Sequence, residues 1–94
     1  MTWKEMQSDP VRVKNAVSDR LREQFRTEQG HKDNETFLTE SGVPFSIHVM
    51  EDKPPWDFLV IEYQDTGEDG DGFFPKHYAS LDEMLEAMIE EITQ

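Results

Sequence analysis

Short connections between apolar segments are the feature that most restricts how this chain can fold. An alternating segment at residues 43–49 and a continuously apolar one within 56–63 are separated only by a break containing two prolines at 52–55. A short third segment follows at 72–78. Parallel neighbours need long crossover connections, so segments this close together predict an antiparallel meander. Residues 35–39 could add a first strand, so we expect three or four strands.

An amphipathic segment precedes the predicted strands. Asp9 and Pro10 have the order of an N-cap followed by proline in the first helical turn. Apolar side chains then recur every four residues and predict a helix over 10–29: Val13, Val17, Leu21 and Phe25. Trp3 and Met6 continue the same stripe backwards, which indicates a helical turn or packed arm before Asp9.

A second amphipathic segment closes the sequence. Ser80 and Glu83 have the spacing of a capping box, in which each residue satisfies a backbone amide at the start of a helix. The apolar positions that follow fit one helical face: Leu81, Met84, Leu85, Met88, Ile89 and Ile92. The order helix, strands, helix predicts a single α+β domain over 1–94, with an N-terminal helix, an antiparallel meander sheet and a C-terminal amphipathic helix in two layers.

Charge is divided unequally along the chain. Residues 1–50 hold eight acidic and seven basic side chains, whereas residues 51–94 hold thirteen acidic and two basic ones, so −11 of the net −12 lies in the second part. Nucleic acids and anionic membranes are bound through Lys and Arg, so we expect neither as a direct partner. With no cysteine, no signal-peptide pattern and no long apolar run, a cytoplasmic protein is expected.

The acidic side chains allow three interpretations. They solvate the protein, they dock a partner with a basic surface, or they mimic a phosphate backbone and block a DNA- or RNA-binding protein. The candidate partner-binding residues are Glu83, Glu86 and Glu90, which share one side of the last predicted helix, and Asp69 and Asp71 in a glycine-rich turn at 65–72.

The segment at 56–63 provides a second candidate surface. Leu59, Ile61 and Tyr63 lie on one side of this predicted strand, and the other side carries Trp56, Phe58 and Val60. If both helices pack on the same side of the sheet, the second side is an interface candidate, either for another protein or for a homodimer.

Sequence patterns for catalysis or metal binding are missing. The 65–72 turn resembles a calcium loop in composition, but Gly67 and Lys76 stand where a loop starting at Asp65 needs oxygen ligands. The histidines lack the spacing of metal ligands, and no serine has a nucleophile motif. We therefore expect no metal site, no cofactor and no enzymatic activity.

Two classes of function remain. The first is a small non-enzymatic protein that binds another protein, as inhibitor, immunity or accessory proteins do. The alternative is a small enzyme or ligand-binding domain with a pocket at a dimer interface, lined by Trp56, Tyr63, His48 and His77.

Overall fold

The chain folds into an antiparallel sheet covered by helices. A computed structural model describes residues 2–28, 35–51 and 57–93. The break at 52–55 and Trp56 lie outside these residues. Within them, the elements follow in this order: α1 (Trp3–Met6), α2 (Pro10–Gln24), β1 (Arg26–Glu28), β2 (Thr36–Leu38), β3 (Pro44–Met50), β4 (Phe58–Tyr63), β5 (Glu68–Phe73), a 3-10 turn (Pro75–His77) and α3 (Leu81–Ile92).

The strands pair in chain order, each antiparallel to the next. The predicted α+β class and meander are therefore confirmed. The described residues form five strands instead of the three or four expected.

β1, the strand that the sequence did not predict, forms because α2 ends earlier than expected. The predicted helix extended to residue 29, but α2 ends at Gln24 and Phe25 has extended backbone angles, φ −117 and ψ 147. Residues 26–28 then pair with β2 as β1. Phe25 stays buried and its ring meets Phe45 edge-on at 5.5 Å between centroids. The apolar stripe therefore continues past the helix end, because Phe25 reaches the same core from an extended backbone.

The last strand also lies earlier than predicted. Residues 65–72 were expected to be a connection and 72–78 a strand, but the turn is complete at Gly67, whose φ of 71 suits glycine. β5 then pairs with β4 over Glu68–Phe73. Pro75 begins a 3-10 turn instead of lying within the strand predicted over 72–78. Asp69 and Asp71 therefore belong to β5, the last strand in the order of the described sheet.

Both long helices cover the same face of the sheet. A single core cluster joins side chains of α2 and α3 with Ile47, Leu59 and Ile61 from the central strands. Val60 is only 4% exposed, yet it does not belong to that cluster. We call the opposite sheet surface the open face; it carries Ser46, His48, Met50, Phe58, Val60 and Glu62. Neither α2 nor α3 packs on this surface.

The start of α3 follows the predicted capping box. Ser80 Oγ accepts the backbone N–H of Glu83 at 3.1 Å. The Glu83 carboxylate accepts in turn from the backbone N–H of Ala79 at 2.9 Å, one residue before the N-cap. The reciprocal bonds predicted by the sequence are therefore present, with a shift of one residue.

The N-terminal turn α1 is fastened to the segment between β5 and α3. The Trp3 indole N–H donates to the carbonyl oxygen of Tyr78 at 2.8 Å. The Gln7 amide donates to the carbonyl oxygen of Pro75 at 2.8 Å. Trp3 and Met6 also pack against the core, so α1 is the packed helical turn that the apolar stripe predicted.

Candidate functional site

Aromatic side chains are concentrated on the open face at the β4–β5 side. The ring of Phe58 stacks on Phe74 with centroids 4.9 Å apart, and Phe74 stacks on His77 at 5.2 Å. A Cβ on Gly72 would lie 2.9 Å from the Phe58 ring, so glycine allows this ring to lie across β5. Met50 pairs with Phe58 across the strands and is 41% exposed. This stack, with Met50, is an apolar area on the sheet surface that α2 and α3 leave uncovered.

The residues of the predicted apolar interface have different places in this area. Phe58 is half-buried and forms part of the stack, whereas the side chain of Val60 is only 4% exposed. Sequence reasoning missed Met50 and Phe74, and it assigned His77 to the alternative pocket instead of this area. Period-two alternation would have found Met50 and Phe74, because Met50 continues the open-face register of β3 and Phe74 continues that of β5.

Polar side chains occupy the middle of the open face. Ser46 Oγ lies 2.9 Å from His48 Nε2, and the same nitrogen lies 3.6 Å from Glu62 Oε1. In a serine–histidine–carboxylate relay the serine and the carboxylate contact different ring nitrogens. Ser46 is also only 1% exposed. This cluster therefore lacks the geometry of an activated nucleophile.

Two like charges face each other beside this cluster. Glu62 of β4 is directly opposite Asp69 of β5. Like charges in directly opposed positions destabilise a sheet, and a cation placed near both would relieve that repulsion. His48 contacts Glu62 but carries positive charge only when protonated.

The five predicted acidic residues do not form one surface. Glu83, Glu86 and Glu90 are exposed on α3, away from its buried stripe. Asp69 shares the open face with Glu62, on the side of the sheet that α3 does not cover. The row on α3 is therefore separated from Asp69 by the thickness of the sheet. Glu83 also has a structural role, because its carboxylate caps the helix start.

Asp71 lies where α3 meets a bulge in β5. The register between Val60 and Glu62 shifts by one residue, so two residues of β5, Gly70 and Asp71, face the single residue Ile61. Glu91 Oε1 accepts the backbone N–H of Asp71 at 2.9 Å. Burial raises the pKa of Tyr63, and the negative charge of Glu91 raises it further. Sequence reasoning missed Glu91 because it reads as one more solvated acid.

The alternative pocket at a dimer interface is not assembled within one chain. Tyr63 pairs with Phe45 and packs against the helix-covered core, whereas His48 belongs to the open face. His77 is exposed at the end of the aromatic stack. These side chains therefore lie on two sides of the sheet, and Trp56 lies outside the described residues.

Two concave surfaces among the described residues lie elsewhere. A groove of about 530 Å³ between α2 and α3 has Leu85 and Ile89 among its lining residues, and a salt bridge of 2.9 Å joins Arg20 to Asp82 there. A second cavity of about 330 Å³ lies beside Phe25. Neither is lined by a histidine. The carboxylates of the larger groove are exposed, which does not favour the shielded environment that tunes a catalytic acid.

The three described segments carry neither a metal-binding cluster nor a membrane-spanning helix. No group of three or more His, Asp or Glu side chains there is arranged to hold a metal ion. None of the helices in these segments is long and apolar enough to cross a membrane. Comparison with protein-family models, curated proteins and solved structures finds no match to this chain.

Proposed function

We propose that this protein acts by binding a protein with a basic surface through the open face of its sheet. The observation that carries the proposal is the aromatic stack of Phe58, Phe74 and His77 beside Met50, on the sheet face that α2 and α3 leave uncovered. Aromatic and methionine side chains are enriched where proteins contact one another, and a polar rim commonly surrounds them.

The charge of the same face supports a basic partner. Glu62 and Asp69 repel each other across β4 and β5, and a lysine or arginine of the partner would relieve that repulsion. The chain as a whole carries a net charge of −12, which attracts a basic protein from a distance and repels a second copy. A non-enzymatic binding role of the inhibitor, immunity or accessory type fits these features.

A matched pair of exposed side chains provides the test. Met50 on the open face and Val11 on α2 are similarly exposed, at 41% and 48%. A photo-crosslinking amino acid placed at either position reports which proteins lie against it in cells that express the protein naturally. We expect a basic protein to crosslink at position 50 and not at position 11. Its yield should fall as salt is raised, because salt screens charge attraction.

Two variants then separate the candidate surfaces. Met50→Ser should weaken capture of that partner, and Val11→Ser should not. The pair Glu86→Lys and Glu90→Lys reverses charge on α3 while keeping the capping carboxylate of Glu83. If only the α3 variant loses the partner, the acidic row on α3 is the binding surface and the proposal is wrong. Crosslinking only to a second copy of the chain would indicate a homodimer instead.

A further inference from the structure

The outer edge of β5 has backbone groups that point away from the sheet. The backbone N–H of Gln64 donates to the carbonyl oxygen of Pro44 at 3.0 Å, which identifies the residues of β4 that bond to β3. By strict alternation, Val60 and Glu62 also direct their N–H and C=O groups toward β3. Their partners on the other side, Gly72 and Asp69, are therefore non-hydrogen-bonded pairs. The N–H and C=O groups of Gly72 and Asp69 point outward.

The bulge sets the spacing of these outward groups. Gly72 and Asp69 are three residues apart in sequence, but they are opposite Val60 and Glu62, which are two residues apart. At about 3.4 Å per residue, the two outward positions are separated by roughly 7 Å, as on a regular strand. The described strands end with β5 on this side of the sheet. An added strand would thus find two sets of donors and acceptors in normal register.

The side chains around this edge restrict what can be added. The side chain of Asp69 and the space above Gly72 both lie on the open face, as the pairing with Glu62 and Val60 requires. The Phe58 ring lies across Gly72. An added strand would place one side chain beside Asp69 and another, two positions along, beside the Phe58 ring.

We propose that the β5 edge binds an extended segment of a partner protein by strand addition, with a basic residue opposite Asp69 and an apolar residue opposite Gly72. This inference rests on the proposed function and specifies how the partner meets the open face. Strand addition combines backbone hydrogen bonds with side-chain selection at alternate positions. The acidic edge disfavours a second copy of this chain, whose β5 carries the same charges.

The other edge of the sheet lacks these properties. β1 comprises only three residues, Arg26–Glu28, all of them exposed. Its side chains carry one charge of each sign and no aromatic ring. A basic segment therefore has a preferred edge, and β1 provides an internal control.

The test uses a short synthetic peptide in which every second residue is threonine. The positions between the threonines are alternately lysine and valine, so that the repeating unit is Lys-Thr-Val-Thr. Amide hydrogen exchange is followed by NMR with and without peptide. We expect the amides of Asp69 and Gly72 to exchange quickly in the free protein and to become protected when peptide is added. The amide of Phe73 already bonds to β4, so its protection should be high in both states. The exchange rates of the β1 amides should not change when peptide is added.

Methylated peptides distinguish strand addition from simple charge attraction. Methyl groups on the lysine and valine backbone nitrogens remove the donors that face β5, so binding should be lost. Methyl groups on the threonine nitrogens face away and should reduce binding much less. If both peptides bind equally, the backbone edge is not used and the inference is wrong.

Matched charge variants locate the binding site. The pair Asp69→Asn and Asp71→Asn changes the net charge by the same amount as Glu86→Gln and Glu90→Gln. We expect the first pair to weaken peptide binding by about two- to tenfold at low salt, and the second pair to have a smaller effect.

Two outcomes would refute strand addition. If the NMR signals of Met50 and Phe74 shift with peptide while the β5 amides stay unprotected, strand addition is wrong and the proposed function still stands. An absence of peptide binding overturns strand addition, while the crosslinking at position 50 tests the proposed function independently.

Discussion

Replacing Glu91 tests how α3 is fastened to the sheet. Its Oε1 accepts the Asp71 N–H at 2.9 Å, while its Oε2 is buried without a hydrogen-bond partner among the described residues. A Cβ on Gly70 would lie 2.5 Å from Oε2, so the carboxylate fills the space that glycine leaves. A hydrogen bond to a charged group contributes about 1.5–3 kcal/mol, but an unsatisfied buried polar atom costs about 1–3 kcal/mol. The two effects therefore oppose each other within one side chain.

The two effects respond differently to two substitutions. Glu91→Ala removes both the acceptor and the unsatisfied oxygen, and leaves the bulge amide of Asp71 to water. Because Asp71 is exposed, we expect a loss of about 1 kcal/mol, which corresponds to a fall in Tm of about 4–8 °C for a domain of this size. Glu91→Gln keeps an acceptor and removes a charge from an acidic region, so we expect a smaller loss.

Thermal unfolding followed by circular dichroism measures both variants. Glu90→Ala is the matched control, because Glu90 is exposed on the same helix and its replacement should change stability by less than about 0.5 kcal/mol. Tyr63 gives a second signal: without Glu91 its pKa should fall but stay above the usual value, since burial is the larger cause. If Glu91→Ala is as stable as the original protein, the Asp71 bond contributes no net stability and this reasoning fails.

Three further predictions concern the core, the pH dependence and metal binding. Leu85→Ala should cost about 2–5 kcal/mol by creating a cavity under α3, and an unchanged Tm would contradict the packing described here. Burial raises the pKa of Tyr63 and Tyr78, so both favour the folded state below pH ~10 and this contribution is lost as pH rises through their folded values; replacing both with Phe should flatten the fall in stability seen in alkaline urea titrations. Calorimetric titration of calcium should show no site at 65–72 tighter than about the millimolar range, and micromolar binding would contradict the ligand count.

The parts of the fold that sequence analysis predicted are those with a complete hydrophobic pattern. α3 has a cap and six apolar positions on one face, and its bounds, Leu81–Ile92, follow the capping box. β1 was missed because Arg26–Glu28 is an exposed edge segment without apolar residues. β5 was misplaced because glycine and aspartate have low strand propensity, and pairing with β4 overrides that preference.

The sequence predicted the candidate surface only on the condition that both helices pack on the same side of the sheet. The stripes on α2 and α3 each need one apolar partner, and either side of β4 could provide it, since Phe58–Ile61 is apolar without interruption. Only the packed structure shows both helices on the side of Leu59 and Ile61. The face on which Asp69 lies likewise depends on the register of β5 at its bulge. No sequence pattern indicated that bulge.

The attachment of α1 has a consequence for the order in which the molecule folds and opens. The sheet joins only neighbouring strands, so its contacts are short in sequence and can form early. The hydrogen bond from Trp3 to Tyr78 closes a loop of 75 residues. Closing this loop costs conformational entropy, and only a few contacts of α1 offset that cost. We therefore expect the N-terminal turn to dock after the sheet and to detach before it on warming. Local opening would begin at Trp3 while the strand amides still resist exchange.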